Sequence, residues 1–338
     1  MTPRAWTVSY AGLSEKGPVR EENQDGFLAA DLRSEGAGAK SGAWTLGEGR
    51  LLLAIADGMG GGPAGGEASQ SALECLRAEL ARGGGRAEPL LRSAIEAANR
   101  RLFDQASSDP KLRGMGTTLT AALIERGHLV IGHVGDTRAY LARGGRFTAL
   151  TTDHTLLGKV MGLTPEQARA HIFKNVLAQC VGGSDATVAV EVSRLRLRPG
   201  DVILLSTDGL HGAATDSAMA AVLSRDEDLS LACRRLVDLA LCADTQDNVT
   251  AVLARFEGPS GSGDEERDFT LLEEVFFDRP QGRLAVRRPE AVRVEETPER
   301  SPQGHALEEP RSCLPATAGL VLAIYALVAA AALLRGLP

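Results

Sequence analysis

The chain has 338 residues, 43% of them hydrophobic, enough for one large domain or two small ones, and its net charge is −7. The acidity is local: residues 1–256 hold 30 acids against 28 Lys+Arg (−2), residues 257–311 hold 14 against 8 Arg (−6), and Arg335 adds +1. With no clustered basic excess nucleic acid is excluded as a partner, and five scattered cysteines (Cys75, Cys180, Cys233, Cys242, Cys313) without a CxxC pair or zinc spacing read as reduced thiols.

Residues 1–256 read as one globular domain, and MTPRAWTVSYAG lacks the apolar core of a signal peptide. In VREENQDGF (Val19–Phe27), Arg20 stands five residues before Asp25. A guanidinium fork suits two phosphate oxygens, but taken alone Arg20 reads as a surface ion-pair partner and Asp25 as a turn residue. LLLAIAD then ends in Asp57, and Gly58, Gly60 and Gly61 follow. The glycines permit a sharp turn and close backbone approach, and the Gly58 carbonyl is a candidate neutral metal ligand beside Asp57. No Gly-Lys-Ser/Thr closes the run, so it is not a P-loop.

Two amphipathic helices follow. One spans roughly Glu67–Arg82, with Ala68, Ala72, Leu76 and Leu80 on one stripe; the other spans roughly Glu88–Ala106, with Leu91, Ile95, Ala98 and Leu102. Leu119–Ile124 and His128–Val134 form a hairpin about Glu125-Arg126-Gly127, and Arg138–Ala142 and Arg146–Leu150 another about Gly144-Gly145. Between them lies Asp136, ending LVIGHVGD. Val188–Leu197 alternates as a half-buried strand, VILLSTD ends in Asp208, and a helix lies near Leu229–Ala243. Asp247 precedes the last strand, in QDNVTAVLARF. Consecutive hairpins argue for antiparallel sheets. Buried strands that end in carboxylates set hard oxygen ligands at a sheet rim, and their repulsion calls for divalent cations among them.

Residues 257–315, rich in Glu, Arg, Pro and Gly, read as a mostly disordered acidic linker. Within it Phe269–Phe277 reads either as a short amphipathic helix docking on the domain or a partner, or as a local hydrophobic cluster. Ala316–Leu334 is almost unbroken apolar sequence whose nineteen residues, as a helix, span ~28 Å, about one hydrocarbon core. It reads as a single transmembrane anchor in the inner membrane, with the large domain in the cytoplasm.

The motifs R…NQD, DGMGG, GTT, GDTR, DH, STDG and DNVT, in that order over about residues 6–256, resemble the PPM family of metal-dependent serine/threonine phosphatases, the protein phosphatase 2C family, in its bacterial form. The resemblance implies an α+β fold: a four-layer α-β-β-α sandwich of two antiparallel sheets flanked by helices, here followed by the transmembrane helix. It implies Asp57 as a bridging carboxylate with the Gly58 carbonyl beside it, Asp208 and Asp247 at a first metal, and Asp25 at a second. Asp136 shares a weaker third ion with Asp208, and Arg20 binds phosphate. Arg20, Asp57 and Asp208 are then the catalytic residues, the cofactors are two Mn²⁺ or Mg²⁺ ions, and the segment from about Asp153 to Gly183, with His154 at its start, is a flap beside the site. Met59 stands where eukaryotic relatives carry a His, and Gln24 where they carry a Glu. The implied reaction is hydrolysis of phosphoserine and phosphothreonine in proteins by a metal-activated water, opposing a Hanks-type kinase at the membrane. A catalytically dead phosphoprotein scaffold would be marked by a missing acid, and all five are present; a small-molecule phosphohydrolase would use the same site.

Overall fold

The long core strands are covered on both faces, and for that reason their sequences run apolar without alternation. In a computed structural model of the chain, the described residues are 6–33, 39–46, 49–60, 64–163, 167, 176–183, 185–225, 227–258, 269–278 and 283–288. Its strands are β1 (Trp6–Glu15), β2 (Asp25–Asp31), β3 (Ser41–Leu46), β4 (Leu51–Met59), β5 (Gly116–Thr117), β6 (Leu119–Glu125), β7 (His128–Val134), β8 (Arg138–Arg143), β9 (Arg146–Ala149), β10 (Val181–Gly182), β11 (Glu191–Arg196), β12 (Val202–Ser206), β13 (Val249–Glu257), β14 (Phe269–Asp278) and β15 (Arg283–Arg287). The helices are α1 (Ala64–Arg82), α2 (Ala87–Ser108), a single turn at Asp208–His211, and two later helices, Asp216–Leu223 and Leu229–Cys242.

Antiparallel pairing builds a six-stranded sheet, β3-β1-β13-β12-β8-β9, and a nine-stranded sheet, β10-β5-β4-β6-β7-β11-β14-β15 with β2 on β4. Strand β4 shows how they stack. Leu51, Leu53 and Ile55 join Ile131, Ile203, Leu205 and Phe256 in the core between the sheets. Leu52, Ala54 and Ala56 face the other way and meet Leu76, Leu91, Ile95 and Leu102 of α1 and α2. On the six-stranded sheet the same alternation sends Leu204 and Leu253 to Leu236 and Val237 of helix Leu229–Cys242. The result is helices, sheet, sheet, helix, as expected from the sequence.

Both expected hairpins form, β6–β7 with Arg126 at φ 47° in its turn, and β8–β9. Two expectations change. Strand β11 starts at Glu191 and carries buried residues on both faces, Val192 packing under α2 and Leu195 facing the second sheet, with Arg194 and Arg196 half-buried. Phe269–Phe277 is not a helix: it forms β14, paired with β11 and then β15, so the expected disordered linker holds two strands. The expected transmembrane segment, residues 316–334, and most of the linker lie outside the described residues. Among the described residues no helix is long and apolar enough to cross a membrane.

Phe256 is fully buried between the sheets. Phe256→Ala should cost about 3–5 kcal/mol of stability, read as a lower urea midpoint at unchanged slope. A loss below about 1 kcal/mol would mean that the inter-sheet core collapses into the space.

Candidate metal centre

Five aspartates arrive at one end of the sandwich from both sheets. The β2–β4 register sets Asp25 directly opposite Asp57. Asp136 sits where the chain crosses from β7 in one sheet to β8 in the other. Asp208 follows β12 and opens the single helical turn, and Asp247 lies just before β13, the neighbour of β12. Asp57, Asp136, Asp208 and Asp247 line one cleft of about 1290 Å³, together with Arg20 and Gly58. Asp25 is not among the lining residues.

Threonines fix the backbone and the buried carboxylate. The Asp57 carbonyl accepts from the Thr117 hydroxyl (2.8 Å) and the Thr118 N–H (2.9 Å), while its own N–H donates to Thr118 Oγ1 (2.9 Å). Asp25 Oδ2 accepts from the hydroxyls of Thr207 (2.8 Å) and Thr250 (2.6 Å). Position 58 admits only glycine, since a Cβ there would run into the Gly65 carbonyl oxygen. Asn248 ties down the segment that carries Arg20. Its Oδ1 accepts from the Gln24 N–H (2.9 Å), and its Nδ2 donates to the carbonyls of Lys16 (2.8 Å) and Glu22 (2.9 Å). Arg20 Nη2 in turn donates to Asp247 Oδ2 at 2.6 Å. Asn248, Thr207, Thr250 and the Thr117-Thr118 pair were written in DNVT, STDG and GTT, but nothing in those letters says which hydroxyl or amide holds which neighbour.

The carboxylates are under electrostatic stress. Burial, with repulsion from Asp208 and Asp247, pushes Asp25 up to about 7, even though the two threonine hydroxyls oppose the shift. Burial and the nearby Asp247 push Asp208 up to about 6, with Arg20 pulling the other way. Asp57 and Asp136 are held well above the ordinary carboxylate range, first by burial and then by their acidic neighbours. Asp25 Oδ1 and Asp208 Oδ1 are buried without a hydrogen-bond partner. Orphaned buried oxygens of this kind are costly, and a hard cation satisfies both them and the repulsion. Among the described residues no three His, Cys, Asp or Glu side chains close into a ready-made cage. Mg²⁺ and ions like it need no such cage, because they keep several waters and take only a few protein oxygens. The all-oxygen donors of this cleft, carboxylates and a glycine carbonyl, fit such ions rather than zinc.

Neighbouring residues do other things. His154 is fully buried, and its Nδ1 accepts from Gln179 Nε2 (2.8 Å) and the Gly135 N–H (3.3 Å), so it supports the chain before Asp136 rather than facing the cleft. Met59 lines the cleft and carries no titratable proton. Cys180 also lines it, but burial pushes its thiol up to about 11, so it stays protonated and is a poor nucleophile.

Comparison with known proteins gives the same direction. A sequence model of the family described as Protein phosphatase 2C matches residues 37–253. The serine/threonine protein phosphatase PstP of Mycobacterium tuberculosis is 34% identical over 251 residues, 73% of this chain but 45% of the relative, so the match spans about half of that protein's length. Protein phosphatase PhpP of Streptococcus pneumoniae is 32% identical over 212 residues, 61% of this chain and 85% of the relative. Among solved structures, the catalytic domain of PstP in complex with two manganese ions superposes with a TM-score of 0.61 at 33% identity, over 75% of this chain and 99% of that one.

The stress on Asp208 has a measurable sign. Its carboxyl binds a proton more readily folded than unfolded, so the stability it contributes falls as pH rises from the ordinary 3.8 to about 6 and stays low above that. In EDTA at pH 7.5, Asp208→Asn should therefore be more stable than the unchanged chain by about 1–3 kcal/mol, with the gap closing below about pH 4. Added Mn²⁺ should reverse the order. Thermal unfolding that ranks the two equally in EDTA at pH 7.5 would contradict the repulsion.

Proposed function

The chain belongs to the protein phosphatase 2C family, and on that premise we propose that its cleft hydrolyses phosphoserine and phosphothreonine in proteins. One observation carries the reading: a guanidinium and four carboxylates at or beside strand ends line the same cleft, with partnerless buried carboxylate oxygens on Asp25 and Asp208. Two divalent ions, as in the manganese-bound PstP domain, fit those donors. Asp57, with the Gly58 carbonyl beside it, would serve both ions, Asp208 and Asp247 would hold one, and Asp25 would serve the other, with Asp136 and Asp208 taking a weaker third. When bound, such ions supply an acidified water for in-line attack and Lewis acidity towards the phosphoryl oxygens.

The protein's own part is positioning. Arg20 presents a planar fork to two phosphate oxygens. Its present partner, Asp247, does not prevent this, because the Arg20 side chain is about half exposed and a pair so placed is weak. Asn248 keeps the Arg20 segment beside Asp247, so phosphate binding and the carboxylates stay in register. Thr207 and Thr250 orient Asp25 by its Oδ2 and leave Oδ1 for a cation. The protonated Cys180 thiol supplies no nucleophile, which agrees with direct attack by water. A protein serine/threonine kinase is the counterpart such an enzyme opposes.

Phosphate release from a phosphothreonine peptide with Mn²⁺ tests the reading. Asp57→Asn should lower kcat by at least about 10²-fold, and Arg20→Lys, which loses the fork, should lower kcat/KM by about 10²-fold. Turnover that survives both Asp208→Asn and EDTA would sink the metal mechanism.

The apolar stretch Ala316–Leu334 supports placing this activity at the inner face of a membrane. Deleting residues 314–338 should move the protein from the membrane pellet to the soluble fraction with its peptide phosphatase activity intact. Full-length protein that stays soluble without detergent would contradict the anchor.

A further inference from the structure

Strand β14 does not simply extend the sheet. Only Phe269–Glu273 pair with β11, across a bulge between Val192 and Ser193. The next five residues, Glu274–Asp278, carry no β11 partner and pair instead with Arg287–Arg283 of β15. The overhang lies at the catalytic end, because β11 begins at Glu191, opposite His133 of β7, and β7 leads directly to Asp136. The hairpin therefore projects past the sheet where the aspartates gather, and Leu284, Ala285 and Val286 line the same cleft as Asp57 and Asp208. Strands β14 and β15 lie beyond the family match, which ends at residue 253.

Three consecutive strand residues cannot all present their side chains to one side, since side chains alternate between faces. A cleft lined by 284, 285 and 286 together meets main-chain atoms of the strand as well as its side chains. Among the described residues β15 is the last strand of its sheet, so its outer edge has no strand beyond it. Val286 is 39% exposed. Leu177, Ala178, Val188 and Ala189 line the same cleft.

Resting on the phosphatase reading above, we propose that β15 is the substrate-selecting wall of the cleft. It takes an extended segment of the phosphoprotein along its open edge and packs an apolar residue next to the phosphoresidue against Leu284 and Val286. The shared cleft favours this occupant: the wall and the carboxylates line one space, so a peptide segment that presents its phosphate to Arg20 is long enough to reach β15 as well. Main-chain pairing would supply affinity, and the apolar side chain the choice among substrates.

The test uses the full chain with Mn²⁺ and three substrates: a phosphothreonine peptide flanked by Val, the same peptide flanked by Gly, and an aryl phosphate too small to reach β15. The unchanged chain should prefer the Val peptide by about tenfold in kcat/KM, the scale of a modest apolar contact, mostly through KM. Val286→Asp should cut that preference below about twofold, and Leu284→Ala, which trims the wall without adding charge, should lower it in the same direction. Turnover of the aryl phosphate reports, in each variant, that the site is folded. A chain active on all three substrates whose preference neither variant alters overturns the wall while the phosphatase reading stands. So does a Val286→Asp variant that turns over peptides faster, which would put a segment of the chain itself, or a second copy, on β15. A chain inactive on all three overturns the phosphatase reading, and the wall with it.

Discussion

Asp25 and Asp57 stand opposite each other on paired strands, with Asp208 and Asp247 arriving from the second sheet and Asp136 from the crossing between the two. Like charges so placed, and so buried, oppose the fold that brings them together. The protein relieves the stress only in part: threonine hydroxyls reach one oxygen of Asp25, and Arg20 reaches one of Asp247. What is left over is negative charge and partnerless oxygen at a cleft, which is a binding energy held ready for a cation. The site is thus built from instability that the rest of the sandwich tolerates.

Tolerance comes from the layers beneath. Three apolar clusters hold the two sheets to each other and to their helices, and they leave the strand ends little room to splay apart. Because β4, β12 and β13 are clamped on both faces, the aspartates beside them are displaced only by moving whole strands. The same rigidity explains how residues far apart in sequence share one site: Asn248 anchors the segment from Lys16 to Gln24 across more than two hundred positions. Fold and chemistry are coupled through hydrogen bonds from Asn248 and the threonine side chains rather than through contacts among the acids.

Much of this was legible in the letters. Runs such as LLLAIAD and VILLSTD are apolar on both faces because helices lie on one side and a sheet on the other, and each ends in an acid. Arg126-Gly127 and Gly144-Gly145 mark hairpins through turn chemistry that is local. The stripes of α1 and α2 carry a 3.6-residue period, and the order of short motifs pointed to the family and its two-sheet sandwich. The misreadings share a cause. FTLLEEVFF clusters its apolar residues as a helix or a strand does, and what makes it β14 is pairing with Val192–Leu195, some 75–80 positions earlier, for which no local signal exists. The roles of Thr207, Thr250 and Asn248 were hidden for the same reason: a hydroxyl or an amide two hundred residues from its partner looks like any other polar residue.

Calorimetric titration of the metal-free full chain with Mn²⁺ at pH 7, repeated in two buffers of different ionisation enthalpy, tests the central claim most directly. Carboxyls held near 6 and 7 by burial and mutual repulsion are partly protonated before metal arrives, so binding should be fitted by at least two ions per chain with net release of protons to the buffer. Heats that are the same in both buffers, or a chain that binds no Mn²⁺, would contradict it.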